Sequence, residues 1–325
     1  MESVSSVERR FIETVRRREL LPENSRLAAA VSGGGDSVAL LRLLDCFASH
    51  MNWSLEVIHV DHGAREESGS DAEFVRCLAR GVKLPFHLHE IAPAQTGSLE
   101  DHFSRERQRI YESIGREGAL VATGHTADDR AETLVMRLLE GAGLRGLGGM
   151  DYFGMGPVRR PLLDFTRTEL RDYLSGLGQP WVEDPTNRET DFLRNRIRRL
   201  VMPVLESVSP GSAVSLARSS ANLTQWRDLV DETVSDSLDE LIHEGTFPRE
   251  KYVSLPKPVR LAVLWTLAGK PRGGRLEIEK TDRWILSGKE GFHILPGGAR
   301  ISMKKDVGTV DTEPDREEGQ NLEYR

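Results

Sequence analysis

Apolar runs and helical patterns alternate along the first 126 residues of the chain. The apolar runs, which are typical of buried strands, cover residues 27–31, 55–60, 85–91 and 119–123. The helical patterns cover residues 7–18, 38–49, 71–80 and 99–115. Ser5 and Glu8 have the spacing of a capping box at the start of the first helix. The alternation predicts an α/β fold with a doubly wound, mainly parallel sheet and helices on both faces.

The pattern changes after residue 141, where a glycine-rich connector covers 141–149. Helical patterns resume over 167–177 and 192–206, and a mostly helical stretch covers 212–286. Two short apolar runs, 291–295 and 299–303, flank a Pro-Gly-Gly turn and predict a hairpin. The expected organisation is an N-terminal helix within 1–24, an α/β domain over 25–208, a smaller and mainly helical domain over 209–304, and a disordered acidic tail over 305–325.

The bulk composition narrows the class of protein. The 325 residues are 38% hydrophobic and carry a formal charge of -7, which by itself argues against a nucleic-acid partner. The acidic tail contributes to that total, and arginines cluster at Arg159, Arg160 and between residues 194 and 199, so the local field can still attract a polyanion. No apolar run is long enough to cross a bilayer and no signal-peptide core is visible. We therefore expect a cytoplasmic protein without a membrane partner.

Cys46 and Cys77 are the two cysteines, and both lie among apolar residues on predicted helices. We expect buried free thiols rather than a disulfide, because free cysteine behaves as a small apolar side chain. No Cys-x-x-Cys pair is present, so the sequence offers neither a zinc knuckle nor an iron–sulfur motif. This cysteine usage fits a reducing compartment.

A glycine-rich segment lies between the first predicted strand and the helix that follows it. The segment reads Ser32-Gly33-Gly34-Gly35-Asp36-Ser37. Glycines let the backbone turn tightly and approach a ligand, while the amide groups and the positive end of the helix face an anion. The spacing differs from the P-loop with its lysine and from Gly-x-Gly-x-x-Gly. It predicts a phosphate-binding site; the alternative is a helix start that is capped by a serine or aspartate.

Polar residues also follow the second and fourth predicted strands. Asp61 and His62 end the second strand, where an ordinary turn is the alternative. His125, Asp128 and Asp129 follow the fourth strand and open a helix. The two carboxylates could serve magnesium or an amine substrate, whereas the alternative is stabilisation of the helix dipole by less than about 1 kcal/mol. Because the carboxyl ends of parallel strands meet at one edge, we expect these residues to converge with the glycine segment.

Two further segments carry residues with open interpretations. Arg105 and Arg109 share one face of a predicted helix, where a salt-bridged surface is the alternative to a binding role. Trp181 could stack on a base, although core packing is the favoured interpretation. The connector over 141–149 could act as a lid or as a plain linker.

The helix predicted over 192–206 is rich in arginine. Its inward face is expected to consist of Leu193, Ile197 and Leu200. The polar candidates on it are Arg194, Asn195 and Arg198. Arginines on this helix could position phosphate groups, and a solvated basic face is the alternative.

Five motifs follow one another between residues 32 and 206, within the part of the chain that begins at about Leu27. They read SGGGDS, HVDHGAR, GHTADDRAETLVMRLLEGAGLRGLGGM, RRPLLDFTRTELRDYL and WVEDPTNRETDFLRNRIRRLVMPVLE. This series resembles the bacterial tRNA(Ile)-lysidine synthetase family, a branch of the PP-loop ATP-pyrophosphatases. The resemblance implies an adenine nucleotide alpha hydrolase-like fold, ATP and magnesium as cofactors, and free L-lysine and the tRNA(Ile) with a CAU anticodon as substrates. ATP would adenylate the 2-carbonyl oxygen of the wobble cytidine, and the lysine ε-amine would then attack carbon 2 and expel AMP.

The resemblance also implies roles for individual residues. The ATP phosphates would be held by Ser32, Gly33, Gly34, Gly35, Asp36 and Ser37. Catalytic roles are implied for Asp36, which would also bind magnesium, and for Arg105, His125 and Asp129. Contacts with lysine, cytidine or tRNA are implied for Asp61, His62, Arg105, Asp128, Asp129, Arg194, Asn195 and Arg198. Asp129 or Asp61 is the hypothesised acceptor of the lysine proton. Thr126 stands where the family commonly has a second histidine.

Two other functions are open at this point. One is a different PP-loop adenylating enzyme that acts on tRNA, such as a thiolation enzyme, but such chemistry usually needs catalytic cysteines. The other is a non-enzymatic RNA-binding module, although phosphate contact alone needs no pair of carboxylates beside the glycine segment. A homodimer is one arrangement that the sequence allows.

Overall fold

The computed structural model describes residues 5–61, 68–92, 99–183, 193–270 and 274–311. The chain forms two compact units, Met1–Trp226 and Arg227–Arg325. The helix Ser212–Leu241 runs across the boundary between them. The boundary therefore lies inside that helix, further along the chain than the division at residue 208 expected from the sequence.

The first unit contains a parallel sheet and the helices that cover it. Its strands are β1 (Arg26–Ala30), β2 (Ser54–Asp61), β3 (Phe86–Glu90), β4 (Ala119–Thr123) and β5 (Val158–Arg159). Its helices are α1 (Ser6–Arg17), α2 (Gly35–Ala48), α3 (Ser68–Gly81), α4 (Leu99–Arg116), α5 (Ala127–Leu139), α6 (Leu144–Leu147), α7 (Arg167–Gly176), α8 (Leu193–Arg196), α9 (Met202–Val208) and the first part of α10 (Ser212–Leu241). The predicted strands and helices of the alternating region are all present, with ends shifted by a few residues.

The order of the strands decides where a ligand can bind. Among the described residues the order is β3-β2-β1-β4-β5, and the neighbouring strands are parallel. The chain builds outward from β1 to β3 and then crosses over to place β4 on the other side of β1. Ala30 pairs with Thr123, so the carboxyl ends of β1 and β4 lie side by side. Such a reversal of strand order creates a crevice beyond those two ends.

Both faces of the sheet are covered by helices. Successive residues of a strand point to opposite faces. Leu27 and Ala29 of β1 accordingly belong to the apolar cluster that includes buried residues of α1, α2, α3 and α7. Ala28, between them, packs in a second cluster with Tyr111 and Ile114 of α4. The predicted doubly wound α/β fold is therefore confirmed, and the capping box of Ser5 and Glu8 is formed at α1.

One predicted helix is interrupted. The pattern predicts a single helix over 192–206, but α8 and α9 are separated by a π-helical turn at Ile197–Val201. Ile197 is buried as expected, whereas Leu193 and Leu200 are exposed, so their predicted inward packing is wrong. The wider turn breaks the 3.6-residue period from which a single inward face follows.

The two cysteines are free, but their expected burial is wrong. Cys46 on α2 and Cys77 on α3 are both exposed. Each has an apolar neighbour that is fully buried, Leu44 and Val75 respectively. On a helix, residues two apart face different directions, so an apolar neighbourhood in the sequence does not bury every member.

The second unit combines helices with an antiparallel sheet. It contains the rest of α10, α11 (Arg249–Ser254), α12 (Lys257–Leu267), α13 (Arg275–Leu286), β6 (Thr246–Pro248), β7 (Gly291–Ile294), β8 (Arg300–Lys304) and β9 (Val307–Asp311). The described strands have the order β6-β9-β8-β7. The predicted hairpin is confirmed as β7 and β8, and β9 and β6 extend it on one side. Ile301 and Met303 of β8 pack into the apolar core of this unit. The sequence predicts a disordered tail over 305–325, but residues 307–311 form β9 and pair with β8 and β6, so that part of the expectation is wrong. The residues beyond 311 lie outside the described residues.

Within the described ranges, a single helix that is long and apolar enough to cross a bilayer is not found. The pair Leu193–Val208 and Ser212–Leu241 meets the length and composition only when both parts are counted together, and it is bent by 102°.

We expect Leu40→Ala to lower the free energy of unfolding of the first unit by about 2–5 kcal/mol, because a fully buried leucine leaves a cavity when it is truncated. Leu138→Ala is the matched control, since Leu138 is exposed on α5 and its truncation should change stability by less than about 0.5 kcal/mol. Urea titrations followed by circular dichroism measure both effects. Equal losses in the two variants would contradict the packing of α2.

Candidate active site

The glycine segment forms the turn between β1 and α2. Gly33 has a φ of 95°, which is a left-handed conformation that residues with a side chain rarely adopt. Gly34 is the N-cap residue of α2, and Gly35, Asp36 and Ser37 form its first turn. The helix begins at Gly35 rather than at residue 38. The first amide groups of a helix have no intrahelical acceptor, so this turn presents donors to an anion.

Hydrogen bonds inside the turn fix its shape. The Ser37 hydroxyl donates to the Gly34 carbonyl at 2.8 Å and accepts from the Ser32 amide at 3.2 Å. The Gly33 carbonyl accepts from the Val182 amide at 2.9 Å. The conformation of the turn is therefore held by hydrogen bonds within the turn and by the backbone hydrogen bond from Val182.

The segment between β4 and α5 lies directly against the glycine segment. A Cβ atom on Gly124 would lie 3.0 Å from the Ser37 amide nitrogen, so only glycine fits this contact without a shift of the backbone. Thr126 is the N-cap residue of α5. The Asp129 carboxylate accepts from the Thr126 amide at 2.8 Å and from its hydroxyl at 3.0 Å, which completes a capping box. The Asp129 carboxylate is thus fixed beside the glycine segment.

Arg167, the first residue of α7, connects the two helices. Its guanidinium donates to Asp129 at 2.5 Å and to Glu132 at 2.7 Å, and its Nε lies 3.4 Å from Asp36. Its backbone amide donates to the Asp128 carboxylate at 2.9 Å. A single side chain therefore touches carboxylates of both α2 and α5.

Two more arginines reach the same carboxylates from the stretch that includes α8. Arg194 donates to Asp129 at 3.1 Å and lies 3.4 Å from a Glu132 oxygen. Arg198 donates to Glu132 at 2.8 Å and to Asp129 at 3.2 Å. Glu132 is buried. We call Asp129, Glu132, Arg167, Arg194 and Arg198 the central ion cluster.

A cavity of about 910 Å³ opens over the glycine segment and the central ion cluster. Its lining includes these predicted site residues: Ser32, Gly34, Gly35, Asp36, Ser37, His125, Asp129, Arg194, Asn195 and Arg198. The structure therefore brings most of the predicted site together at the crevice beyond β1 and β4. Arg105, Asp61 and Gly33 do not line this cavity, and His62 lies outside the described residues.

Several lining residues escaped sequence reasoning. Arg107 and Tyr111 of α4 line the cavity, whereas Arg105 does not. Other lining residues without a predicted role are Asp71, Arg171 and Glu183. Glu132 had a local signal, because it lies three residues after Asp129 on the same face of α5. Arg167 had no such signal, since it meets Asp36 across 131 residues of sequence.

The central ion cluster holds its carboxylates in the ionised form. Burial by itself would raise the pKa of Asp129, but the charges of Arg167 and Arg194 outweigh it and hold that pKa well below its usual range. Burial also opposes the ionisation of Glu132, yet its bonds with Arg198 and Arg167 lower its pKa. Conversely, Asp129 and Glu132 outweigh burial at Arg167 and raise its pKa. Asp129, Glu132 and Arg167 are therefore charged at neutral pH.

His125 and Asp36 respond mainly to burial. Burial lowers the pKa of His125 to about 3, with Asp129 opposing the shift, so its imidazole is neutral at pH 7. One ring nitrogen lies 2.9 Å from the Thr123 hydroxyl. Burial raises the pKa of Asp36 to about 6, with Arg167 opposing it. Asp36 is thus a carboxylate at the cavity whose negative charge is only partly compensated.

A second cavity of about 320 Å³ shares part of the central ion cluster. Arg167 and Arg198 line both cavities, and Glu132 lines the second. Asp128, predicted as a substrate contact, faces this second cavity together with Glu206. Thr166, Thr168, Met202, Pro203 and Val214 supply mixed polar and apolar walls. The site is therefore divided into two compartments by charged side chains.

Comparison with known proteins identifies relatives that match most of the chain. The family model of the PP-loop domain matches residues 4–205. A tRNA(Ile)-lysidine synthase of Synechococcus sp. is 36% identical over 261 residues, which cover 78% of this chain and 80% of that protein. One of Parasynechococcus marenigrum is 35% identical over 305 residues and covers 89% of each chain. The tRNA(Ile)-lysidine synthase of Pseudomonas aeruginosa is 35% identical, and this chain covers 52% of the length of that protein.

Among solved structures, the chain is similar to the U34-tRNA thiolase NcsA of Methanococcus maripaludis. The TM-score is 0.56 at 22% sequence identity, and the match covers 67% of this chain and 77% of that one. At this identity the likeness concerns the fold alone. It agrees with the parallel α/β fold described above.

We expect the imidazole resonances of His125 to stay unchanged between pH 5 and pH 8, because burial keeps the ring neutral far below its ordinary pKa. Proton NMR of the ligand-free protein measures this, and a His125→Asn variant assigns the signal. A titration midpoint between pH 6 and 7 for that signal would contradict the burial of the ring.

We expect Asp36→Asn to stabilise the ligand-free first unit at pH 7.5 by up to about 3 kcal/mol. The raised pKa of Asp36 means that the folded state disfavours its charge, and this penalty is present above pH 6 and vanishes as the pH falls towards 4. Urea titrations at pH 7.5 and pH 4.5 measure the difference, with the acidic sample as the control. Destabilisation at pH 7.5 would show that Asp36 serves the fold rather than a ligand.

Proposed function

The chain belongs to the tRNA(Ile)-lysidine synthase family, and we propose from that premise that it joins free L-lysine to the wobble cytidine of the tRNA(Ile) with a CAU anticodon. The observation that carries the proposal is the cavity of about 910 Å³ in which the phosphate-binding turn faces the central ion cluster. The turn suits a nucleotide, and the cluster offers ionised carboxylates to an amine. ATP-dependent adenylation followed by attack of an amine needs both.

The glycine segment accounts for binding of ATP. Outward amide groups of the first turn of α2 would hold phosphate oxygens, and the Ser32 hydroxyl can add a donor, whereas the Ser37 hydroxyl already donates to the Gly34 carbonyl. Asp36 lies in the first turn of the same helix and lines the cavity. In the proposed reaction the cytidine 2-carbonyl oxygen attacks the α-phosphorus, and pyrophosphate leaves. That step converts a poor leaving oxygen into adenylate, which is a good one.

Magnesium fits the residues present at Asp36. Hard cations prefer carboxylate oxygens, and magnesium is usually held by one or two carboxylates together with substrate phosphates. The side chain of Asp36 is only about a quarter exposed, and its incomplete pairing leaves charge for a cation. When bound, the ion would neutralise the charge that develops on the phosphates. Within the described residues, no group of three His, Cys, Asp or Glu side chains is placed to hold a metal, so substrate oxygens would have to complete the site.

Arginines around the cavity suit a polyanionic substrate. Arg107 and Arg171 line it together with the arginines of the central ion cluster. They supply local positive charge in a chain whose formal charge is -7. Contacts of this kind position phosphates without reading sequence.

The second cavity suits free lysine. Its volume of about 320 Å³ can hold one amino acid, and Asp128 and Glu206 on its walls match ammonium groups. Arg167 and Arg198 connect it to the nucleotide cavity and can meet a carboxylate. We propose that lysine enters here and that its ε-amine reaches carbon 2 of the adenylated cytidine and expels AMP.

Asp129 suits the role of counter-charge for the amine better than that of proton acceptor. Its pKa is held well below the usual range, so it binds a proton weakly at neutral pH. Asp61, the other proposed acceptor, ends β2 and does not line the cavity. His125 is neutral, so its imidazole can donate one hydrogen bond and accept another without adding a charge to the site.

A thiolation reaction is not favoured. Cys46 and Cys77 are exposed on α2 and α3, and neither lines a cavity described above. The function proposed for the chain places it with the cytoplasmic tRNA pool. A homodimer stays a proposal from the sequence, which light scattering of the purified protein tests.

The proposed function is tested by supplying ATP, magnesium, labelled lysine and one tRNA at a time. We expect pyrophosphate release and lysine incorporation with the isoleucine tRNA that has a CAU anticodon. The methionine tRNA with the same anticodon is the matched control and should give neither. Pyrophosphate release without lysine incorporation would indicate another adenylating reaction, and the absence of both would contradict the proposal.

We expect Asp128→Asn to raise the KM for lysine about tenfold, because it removes one negative charge from the second cavity while an amide oxygen can still accept from the Arg167 amide. The KM for ATP should stay within about twofold, since Asp128 does not line the nucleotide cavity. Initial rates at varied lysine and varied ATP measure the two constants. An unchanged KM for lysine would remove the second cavity from the proposal.

A further inference from the structure

The three arginines of the central ion cluster are not equivalent. The side chain of Arg167 is 18% exposed, whereas those of Arg194 and Arg198 are 31% and 27% exposed. Arg194 and Arg198 belong to α8 and the π-helical turn, while Arg167 starts the regular helix α7. Arg167 is therefore the member of the cluster that is most firmly built into the fold.

We propose that Arg167 is a positioning residue that holds the carboxylate of the phosphate-binding turn and the two buried carboxylates of α5 in one fixed arrangement. This inference rests on the proposed function, because it assigns Arg167 a task in bringing the nucleotide and the amine together. The sequence implied no catalytic or binding role for Arg167, although Arg167 lies within one of the five motifs.

The fork of the guanidinium explains why arginine is needed. Three nitrogens point at three different carboxylates, with Nη2 at 2.5 Å from Asp129, Nη1 at 2.7 Å from Glu132 and Nε at 3.4 Å from Asp36. Asp36 belongs to α2, and the other two carboxylates belong to α5. A lysine ammonium is a single point of charge on a flexible stem and cannot keep this planar spacing.

The backbone of Arg167 is anchored as firmly as its side chain. Thr166 caps α7 and forms a capping box with Glu169. The guanidinium of Arg10 on α1 donates two hydrogen bonds to the Glu169 carboxylate, at 2.7 and 3.1 Å. The guanidinium thus projects from a helix end whose own position is set by a separate ion pair outside the cavity.

Glu132 depends on this arrangement more than Asp129 does. Asp129 is also held by Thr126 through the capping box, but the described bonds of Glu132 come from Arg167, Arg194 and Arg198. If the Arg167 guanidinium is replaced, the position of the Glu132 carboxylate depends on its bonds with Arg194 and Arg198 alone. The carboxylates of α5 then lose their fixed distance from the phosphate-binding turn, and a misplacement of about 1 Å can cost about a hundredfold in rate.

The test compares Arg167→Lys and Arg167→Ala with the wild-type enzyme in both half-reactions. For Arg167→Lys we expect the rate of lysine incorporation to fall about 10- to 100-fold, while the KM for ATP stays within about threefold. Arg260→Lys on α12 is the matched control, because it likewise removes a guanidinium fork from a buried carboxylate, that of Asp282, and Arg260 lines neither cavity. Its rate should stay within about twofold of wild type.

Chemical rescue separates positioning from folding. Removal of the side chain in Arg167→Ala leaves buried carboxylates short of a partner, and free guanidinium ion at millimolar concentration should restore part of the lysine incorporation. Methylammonium at the same concentration should restore less, because it lacks the fork. If Arg167→Ala does not fold, the measurement rests on Arg167→Lys alone.

Three results would overturn the inference. Arg167→Lys could match wild type, it could lose ATP affinity and lysine transfer in equal measure, or Arg260→Lys could fall as far as Arg167→Lys. If the wild-type enzyme transfers no lysine, the proposed function fails first. The positioning of Asp36 is then judged by the melting temperatures of Arg167→Lys, Asp36→Asn and the double variant. Non-additive shifts support the link between the two residues, and additive shifts contradict it.

Discussion

The structure depends on a buried charge balance between carboxylates of α2 and α5 and arginines that come from far along the chain. Asp129 accepts bonds from Arg167, Arg194 and Arg198 at once. Ions of this kind lose their hydration when they are buried, so each must find partners with good geometry or it destabilises the fold. The cluster is therefore retained at a cost that a packed apolar group would avoid, which points to a role beyond stability.

The sheet places this charge where chemistry can use it. The strand order reverses between β1 and β4, and the crevice at that reversal is lined by the glycine segment on one side and by the start of α5 on the other. Gly124 allows the two segments to touch, because any Cβ would approach the backbone of Ser37. The parallel strands thus set the distance between the amide groups at the start of α2 and the carboxylates of α5.

Under the proposed function, the same arrangement would also keep the two substrates apart until they react. An amine substrate and a nucleotide of opposite charge attract each other, and water must be kept from the activated intermediate. Under the proposed function, two cavities that share Arg167 and Arg198 would offer the substrates separate compartments with a common charged wall. Neutral His125 and charged Asp129, only a few residues apart, show how burial and partner charges set opposite protonation behaviour in one site.

The sequence by itself determined the alternating α/β fold, the turn at residues 32–37 and the edge at which the site forms, because these depend on local periodicity and on the backbone demands of glycine. The tertiary structure alone decided which arginines meet which carboxylates, as with Arg167 and Asp36, which are 131 residues apart. It also decided that Arg107, not Arg105, lines the cavity and that Leu200 and both cysteines are exposed. Such pairings and exposures follow from how helices rotate and pack against one another, which no local pattern specifies.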